Sequence, residues 1–376
     1  MTETPDAVVL FSGGLDSILA ARVLMAQGLR VRCLHCVSPF FGEPGAVTRW
    51  RRLYGVEVDV ADVSEDFAAM MRGRPPHGFG KCLNPCVDCK ILLLRAARRH
   101  MEEVGARFLA SGEVLGQRPM SQRLDTLHLI PREAGVRGLL LRPLCARHLP
   151  PTEAEESGLV DRERLLGISG RGRGDQLALA REFGFTEIPT PGGGCRLTER
   201  ENARRYWLAL TRRPAGMEPE GPTARDFRLA ATGRQYWREA GGRWHWLCVG
   251  RNNKDNERLR EAAGPGDLLL RLSGLPGPLG LARGGTLWER PLLEEAAAIV
   301  ASCAPRARET ASQGARVGVN AGDLRLVLAP AAVMAGDLRL VLAPAAVMAG
   351  EREAWNLPAW EEVREEIRAE ARARAR

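Results

Sequence analysis

Five consecutive apolar residues, Ala7-Val8-Val9-Leu10-Phe11, open the chain's first element. A short, valine-rich and unbroken apolar run of this kind predicts a strand buried on both faces. After the turn Ser12-Gly13-Gly14, apolar residues recur at helical spacing from Ser17 to Ala26, and Gly28 marks the stop. The same alternation then repeats. Strands are expected over 29–37, 56–61, 106–111 and 138–144, and helices over 46–54, 91–104 and 176–183. In the helix at 91–104, Leu93, Leu94, Ala97, Met101 and Val104 form an apolar stripe opposite Arg95, Arg98 and Arg99. Strands alternating with helices predict an α/β class with a doubly wound parallel sheet.

The pattern changes after a closing helix at 199–210. Residues 214–226 hold three prolines and two glycines with almost no periodicity, which reads as a linker. The expected organisation is a domain over 1–213, a linker over 214–225, a smaller α+β domain over 226–350 and a C-terminal helix over 351–376. Residues 321–334 and 335–348 are identical. Functional repeat folds need at least three units, so a tandem duplication is the expected reading, one copy forming a strand and the other extruded or paired beside it.

Composition narrows the class. With 376 residues, 45% hydrophobic and 27% charged, the chain has room for two or three globular domains. No uncharged apolar run approaches the roughly 20 residues of a membrane span. The segment Met1–Asp6 lacks a basic n-region and leads straight into a strand, so a cytoplasmic protein without membrane association is expected. The formal charge of +8 suits a polyanionic partner, although nearly all of the basicity is arginine. Nine cysteines in such a chain point to metal binding or thiol chemistry rather than a disulfide framework. Cys33 and Cys36 lie in a strand, where residues three apart face opposite sides, and are expected to be structural.

Three stretches carry candidate chemistry. A strand entering a helix through Ser12-Gly13-Gly14-Leu15-Asp16-Ser17 presents backbone N–H groups and a helix N-terminus, a geometry that binds phosphate. It lacks the GxxxxGK[ST] spacing of a Walker A loop. The loop Gly112-Glu113-Val114-Leu115-Gly116-Gln117, at the end of the fourth strand, would face it across a nucleotide site. Next, Cys82, Cys86 and Cys89 follow a C-x3-C-x2-C spacing, with Asn84-Pro85 forcing a turn. A helix starting near Val87 puts Cys86 and Cys89 at its N-terminal end, where the dipole is expected to lower a thiol pKa. Thiolates so spaced can hold a metal centre. Finally, the proline- and glycine-rich loop 188–194 delivers Cys195, a presentation that suits a reactive or ligating thiol.

The S-G-G-L-D-S stretch resembles the signature of the PP-loop ATP pyrophosphatases. Gly112–Gln122 and the "RPL" strand at 142–144 are similar to segments of the 4-thiouridine synthases that modify tRNA. Pro191–Thr198 resembles the P-x-G-G-C-L-L-T segment of thiouridylase-like members, with Arg196 in place of an apolar residue. The resemblance implies a HUP-like PP-loop domain that adenylates a tRNA uridine and then inserts sulfur. It implies Ser12, Gly13, Gly14, Asp16, Ser17, Gly112 and Gln117 as ATP-binding residues, with Mg2+ on Asp16. Sulfur delivery then has two versions. Cys195 carries a persulfide that Cys89 resolves, or Cys86, Cys89 and Cys195 ligate a 4Fe–4S cluster, with sulfide or a cysteine desulfurase as sulfur donor. Cys82 is a possible fourth ligand.

RNA contacts are expected from Arg171 and Arg173 in the glycine–arginine loop, and from the V-G-R-N element with Arg251, Asn252 and Asn256. That element resembles the RNA-binding segment of NFACT-type proteins, with Trp244 or Trp246 placed to stack a base. The alternatives are a 7-cyano-7-deazaguanine synthase-like ligase with zinc, or a non-catalytic RNA-binding protein with a relict ATP fold.

Overall fold

The computed structural model describes residues 4–189, 194–214, 216–323, 338–349 and 354–374. The chain divides into two units, Met1–Thr198 and Glu199–Arg376.

In the first unit the unbroken apolar run forms β1 (Ala7–Leu10), every residue of which is buried. Both faces are covered: Ala7 and Val9 enter one core, Val8 and Leu10 the other. With β2 (Val31–Val37), β3 (Glu57–Asp62), β4 (Phe108–Ser111) and β5 (Leu140–Leu141) it makes a parallel sheet in the order β3-β2-β1-β4-β5. The helices are α1 (Leu15–Met25), α2 (Val47–Tyr54), α3 (Ser64–Gly73), α4 (Cys86–Val104), α5 (Leu124–Ala134), α6 (Glu153–Glu156) and α7 (Gly174–Glu182). Leu15, Ile18 and Leu19 of α1, Trp50 of α2 and Ala180 of α7 fill one core. Ile91, Leu94 and Ala97 of α4 and Ile130 of α5 fill the other. The doubly wound α/β architecture is thus present. Cys33 and Cys36 fall into opposite cores, as the period of a strand requires.

From β1 the chain runs outward to β2 and β3, then returns to the other side of β1 for β4 and β5. That reversal leaves a crevice at the carboxyl ends of β1 and β4, where ligands of such sheets bind.

The second unit contains an antiparallel sheet of β6 (Arg234–Ala240), β7 (Arg243–Val249), β8 (Leu268–Leu272), β9 (Gly280–Arg283), β10 (Val317–Asp323) and β11 (Leu338–Leu342), in the order β11-β10-β8-β9-β7-β6. Its helices are α8 (Arg200–Thr211), α9 (Ala224–Ala230), α10 (Asn253–Ala262), α11 (Arg290–Ser302), α12 (Pro305–Ser312), α13 (Pro344–Ala349) and α14 (Trp360–Arg374). Gly241 and Gly242, both with positive φ, turn the β6–β7 hairpin. Ala297 and Val300 of α11 pack with Leu247, Leu270, Val319 and Leu340 of the sheet.

The helix read from the sequence as closing the first domain is α8, and it packs within the second unit. Tyr206 meets Phe227 edge-on, and Trp207 donates its indole N–H to Glu366 of α14 at 2.7 Å. Ala321–Asp323 of the first 14-residue copy end β10, while Leu338–Leu342 of the second form β11 beside it. Residues 324–337, which complete the duplication, lie outside the described residues, as do Thr190–Gly193 of the loop before Cys195.

Candidate nucleotide and thiol site

The turn after β1 is held by packing from below and hydrogen bonds within. Gly13 has φ +78°, and a Cβ there would lie 2.2 Å from the Trp50 ring. Trp50 is fixed edge-on against Phe11 and His35. His35 is held neutral: Glu43 N–H donates to its Nε2 at 2.9 Å, so the proton sits on Nδ1 and is given to Phe11 O at 3.0 Å. Ser17 Oγ donates to Gly14 O at 2.8 Å and accepts from Ser12 N–H at 3.3 Å. Gly14 caps α1 without any side-chain capping bond, so the positive end of the helix faces the crevice.

The second loop touches the first through Gly112. A Cβ at that residue would come within 2.4 Å of the Asp16 backbone carbonyl and 2.6 Å of Ser17 N. Glycine is therefore required by the approach of two backbones, the role expected of loops that share a nucleotide. Asp16 Oδ1 is buried without a hydrogen-bond partner. Burial raises its carboxyl pKa, opposed by Gln117, Arg173, Arg118 and Gln176. The glycine–arginine loop reaches the same place, with Gly170 N–H bonded to Leu115 O at 2.7 Å. Arg173 thus acts on Asp16, while Arg171 is exposed.

Three further residues, absent from the sequence-based site, tie this crevice together. Glu113, buried just after Gly112, accepts from Ser111 Oγ and Arg142 Nε, both at 3.0 Å. Lys90 Nζ lies 3.8 Å from its other oxygen. Burial alone would raise the Glu113 pKa, but Lys90 and Arg142 hold it below the ordinary range. An isolated buried carboxylate is costly, so these partners explain how it is kept.

Lys90 follows Cys89 in α4 and leads to the thiols. Cys86 and Cys89 lie in the first turn of α4, started by Pro85. Asn84 Nδ2 donates to Cys86 Sγ at 3.0 Å, and Asn84 Oδ1 accepts from Cys82 N–H at 3.2 Å. Leu83 N–H bonds Leu197 O at 3.1 Å, bringing the stretch after Cys195 against this turn. The thiols feel one another: Cys86 and Cys195 both act on Cys89, and Cys86 acts on Cys195. Arg118 acts on both Cys195 and Asp16, so thiols and nucleotide loops border one crevice.

The lowered thiol pKa expected at the start of α4 is corrected at Cys89. Burial raises the Cys89 thiol well above its usual value, and Cys195 is pushed up to about 11, again by burial. Desolvation of a thiolate outweighs the helix end here. Cys82 is buried. Among the described residues no group of three or more His, Cys, Asp or Glu is placed to hold a single metal ion. Such an ion needs sulfur donors about 2.3 Å from it. An all-thiol donor set suits an iron–sulfur centre, whose several irons spread the ligands apart, better than a hard cation.

In the second unit the V-G-R-N residues have partners within the protein. Asn252 caps α10 by accepting from Asp255 N–H at 2.9 Å. Arg251 Nε is 2.7 Å from Asp255 Oδ2, and Asn256 Oδ1 accepts from Leu279 N–H at 3.0 Å. Trp246 is fully buried, stacked 4.6 Å from Trp237, which removes it as a base-stacking candidate. Trp244 instead carries the Arg212 guanidinium over its ring, 4.8 Å from the centroid.

Comparison with known proteins bears on the first unit. Residues 3–148 match the model of the family described as Thiamine biosynthesis protein (ThiI). A tRNA sulfurtransferase of Edwardsiella ictaluri is 34% identical over 152 residues, covering 38% of this chain and 29% of that protein. A probable tRNA sulfurtransferase of Streptococcus gordonii is 28% identical over 134 residues, covering 33% and 31%. The chain thus spans about a third of the length of these relatives. Among solved structures, the C-terminal part of the fibronectin/fibrinogen-binding protein of Streptococcus suis aligns with 41% of this chain and 63% of its own, at 15% identity and a TM-score of 0.25. The segment that matches the ThiI family model holds β1 to β5, the Ser12–Ser17 and Gly112–Gln117 loops, and Cys86 and Cys89, and it is this N-terminal part of the chain that is similar to the tRNA sulfurtransferases.

Proposed function

We propose that the protein is a tRNA sulfurtransferase that thiolates a uridine through an adenylated intermediate. The observation that carries the reading is the contact of Gly112 with Asp16, which joins two nucleotide loops beside a group of thiols. The uridine carbonyl oxygen attacks the α-phosphorus of ATP, forming a C–O–P bond as pyrophosphate leaves. The turn Ser12-Gly13-Gly14, Ser17 and the α1 N-terminus hold the departing phosphates. The orphan oxygen of Asp16 fits Mg2+, which when bound neutralises phosphate charge.

In the second step the terminal sulfur of a Cys195 persulfide attacks the activated carbon and AMP leaves. Cys89 then attacks Cys195 Sγ, forming a Cys89–Cys195 disulfide and releasing the thiouridine. A dithiol reductant then reduces the disulfide, and a cysteine desulfurase reloads Cys195 by transferring the sulfane sulfur of its own persulfide, its cysteine leaving as the thiol. Cys86, Cys89 and Cys195 are equally the donors that would hold a 4Fe–4S cluster, which when bound would supply an open iron for sulfide. Arg171 and Arg251 are the proposed RNA contacts, whereas Arg173, which acts on Asp16, is assigned to the phosphates of ATP.

The test is Asp16→Asn assayed for AMP and pyrophosphate release with unthiolated tRNA. Loss of about 100-fold or more is expected, together with a missing thionucleoside in tRNA from a deletion strain. An intact thionucleoside profile in that strain would overturn the reading.

A further inference from the structure

Gln176 is 0% exposed, and neither its Nε2 nor its Oε1 makes a hydrogen bond of normal geometry, although its side chain lies close enough to the Asp16 carboxyl to oppose the rise in that group's pKa. A buried amide left without well-formed hydrogen bonds is costly unless a ligand completes it. The residue lies in the first turn of α7, and its side chain acts on the Asp16 carboxyl in the first turn of α1. Two helix N-termini therefore converge where Arg118 and Arg173 also act. Positive helix ends and guanidinium groups suit a polyphosphate. The same place holds unpartnered acceptor oxygens, on Asp16, on Gln117 and on Gln176 itself. Oxygens of that kind suit a hard divalent cation or its bound waters.

We propose that Gln176, together with Gln117, binds the magnesium-chelated pyrophosphate half of ATP. Its N–H serves a phosphate oxygen, and its carbonyl serves the hydration shell of the cation. Gln176 is thereby a binding residue of the crevice, contributed from 160 residues beyond Asp16. The inference rests on the ATP-dependent reading above.

The full-length protein is titrated calorimetrically with ATP, with Mg2+ and then with EDTA, and its melting temperature is recorded without ligand. Gln176→Leu replaces an unpaired amide with an apolar side chain of similar size, so it is expected to melt no lower than wild type. Its MgATP affinity should fall at least tenfold, and its affinity for metal-free ATP less than threefold. Gln117→Leu should show the same magnesium-dependent loss, and it decides the matter if Gln176→Leu fails to fold. A lowered melting temperature with unchanged MgATP affinity would assign Gln176 a structural role and overturn the inference. Equal losses with and without Mg2+ would overturn the cation assignment. A wild-type protein that binds no MgATP would remove the ATP reading itself, a result distinct from wild-type binding that both variants retain.

Discussion

At Gly112 the addition of one methyl group sets two backbones against each other. The Cβ would lie within 2.4 Å of Asp16 C and O, and backbone atoms cannot swing aside as a side-chain tip can. Gly112→Ala should therefore lower stability by about 1–3 kcal/mol and weaken MgATP binding, measured by urea denaturation and calorimetry. The sequence shows a glycine in a loop after a strand, but not what it touches, because the partner lies in another loop. Asp16 and the Ser12–Gly14 turn are legible since their geometry is local. Glu113, Arg142 and Gln176 are not, since their roles arise only when distant segments meet. The thiols show the same limit. Helix position argues for a low pKa, and only burial, invisible along the chain, reverses it. With Cys195 raised to about 11, alkylation of the metal-free protein by iodoacetamide should be slow at pH 7.5 and climb steadily through pH 10. A rate that levels off near pH 8.5 would contradict that burial.

Among the elements, α4 shows how two signals combine. Apolar periodicity places its body at 91–104, while Asn84-Pro85 puts its start near Val87, and the helix begins at Cys86. Five polar or mixed residues carry no period, so the proline marks the start. That added turn holds Cys86, Asp88, Cys89 and Lys90. Asp88 accepts from His77 N–H at 3.1 Å and from His77 Nδ1 at 2.9 Å, fastening the loop that carries Cys82. The hydrogen bond to Asp88 raises the His77 pKa above its ordinary value, with Glu133 adding to it. A raised histidine pKa stabilises the fold fully below the unfolded value of about 6.5 and loses that contribution as pH rises through the folded value. Amide exchange over 77–86, corrected for intrinsic rates, should therefore be slower at pH 5.5 than at pH 8.5. His77→Gln should abolish the difference. The partly exposed pair limits the effect to about 1 kcal/mol.

Over the whole molecule, the parallel sheet was readable because strands buried on both faces give unbroken apolar runs. The second unit was harder to place. Helix α8 looks continuous with the first domain along the chain, and only its contacts with Phe227 and Glu366 reveal its partner. The charge of +8 is equally ambiguous, because arginines already engaged within the protein contribute less to a polyanion. The structure separates them. Arg171 is exposed, Arg173 acts on Asp16, and Arg251 is bonded to Asp255. If tRNA is the substrate, affinity should fall log-linearly with salt, by a slope of about −0.7 to −0.9 per phosphate neutralised. Arg171→Ala should reduce that slope by about one, read by fluorescence anisotropy between about 50 and about 200 mM KCl. Arg173→Ala should instead weaken MgATP binding. Arg251→Ala should change the slope less than Arg171→Ala, because the freed Asp255 carboxylate, rather than a lost phosphate contact, is its main consequence. Equal slope changes at 171 and 251 would mean that the Arg251–Asp255 pair opens to receive the RNA, placing the V-G-R-N turn in the interface despite its internal bonds.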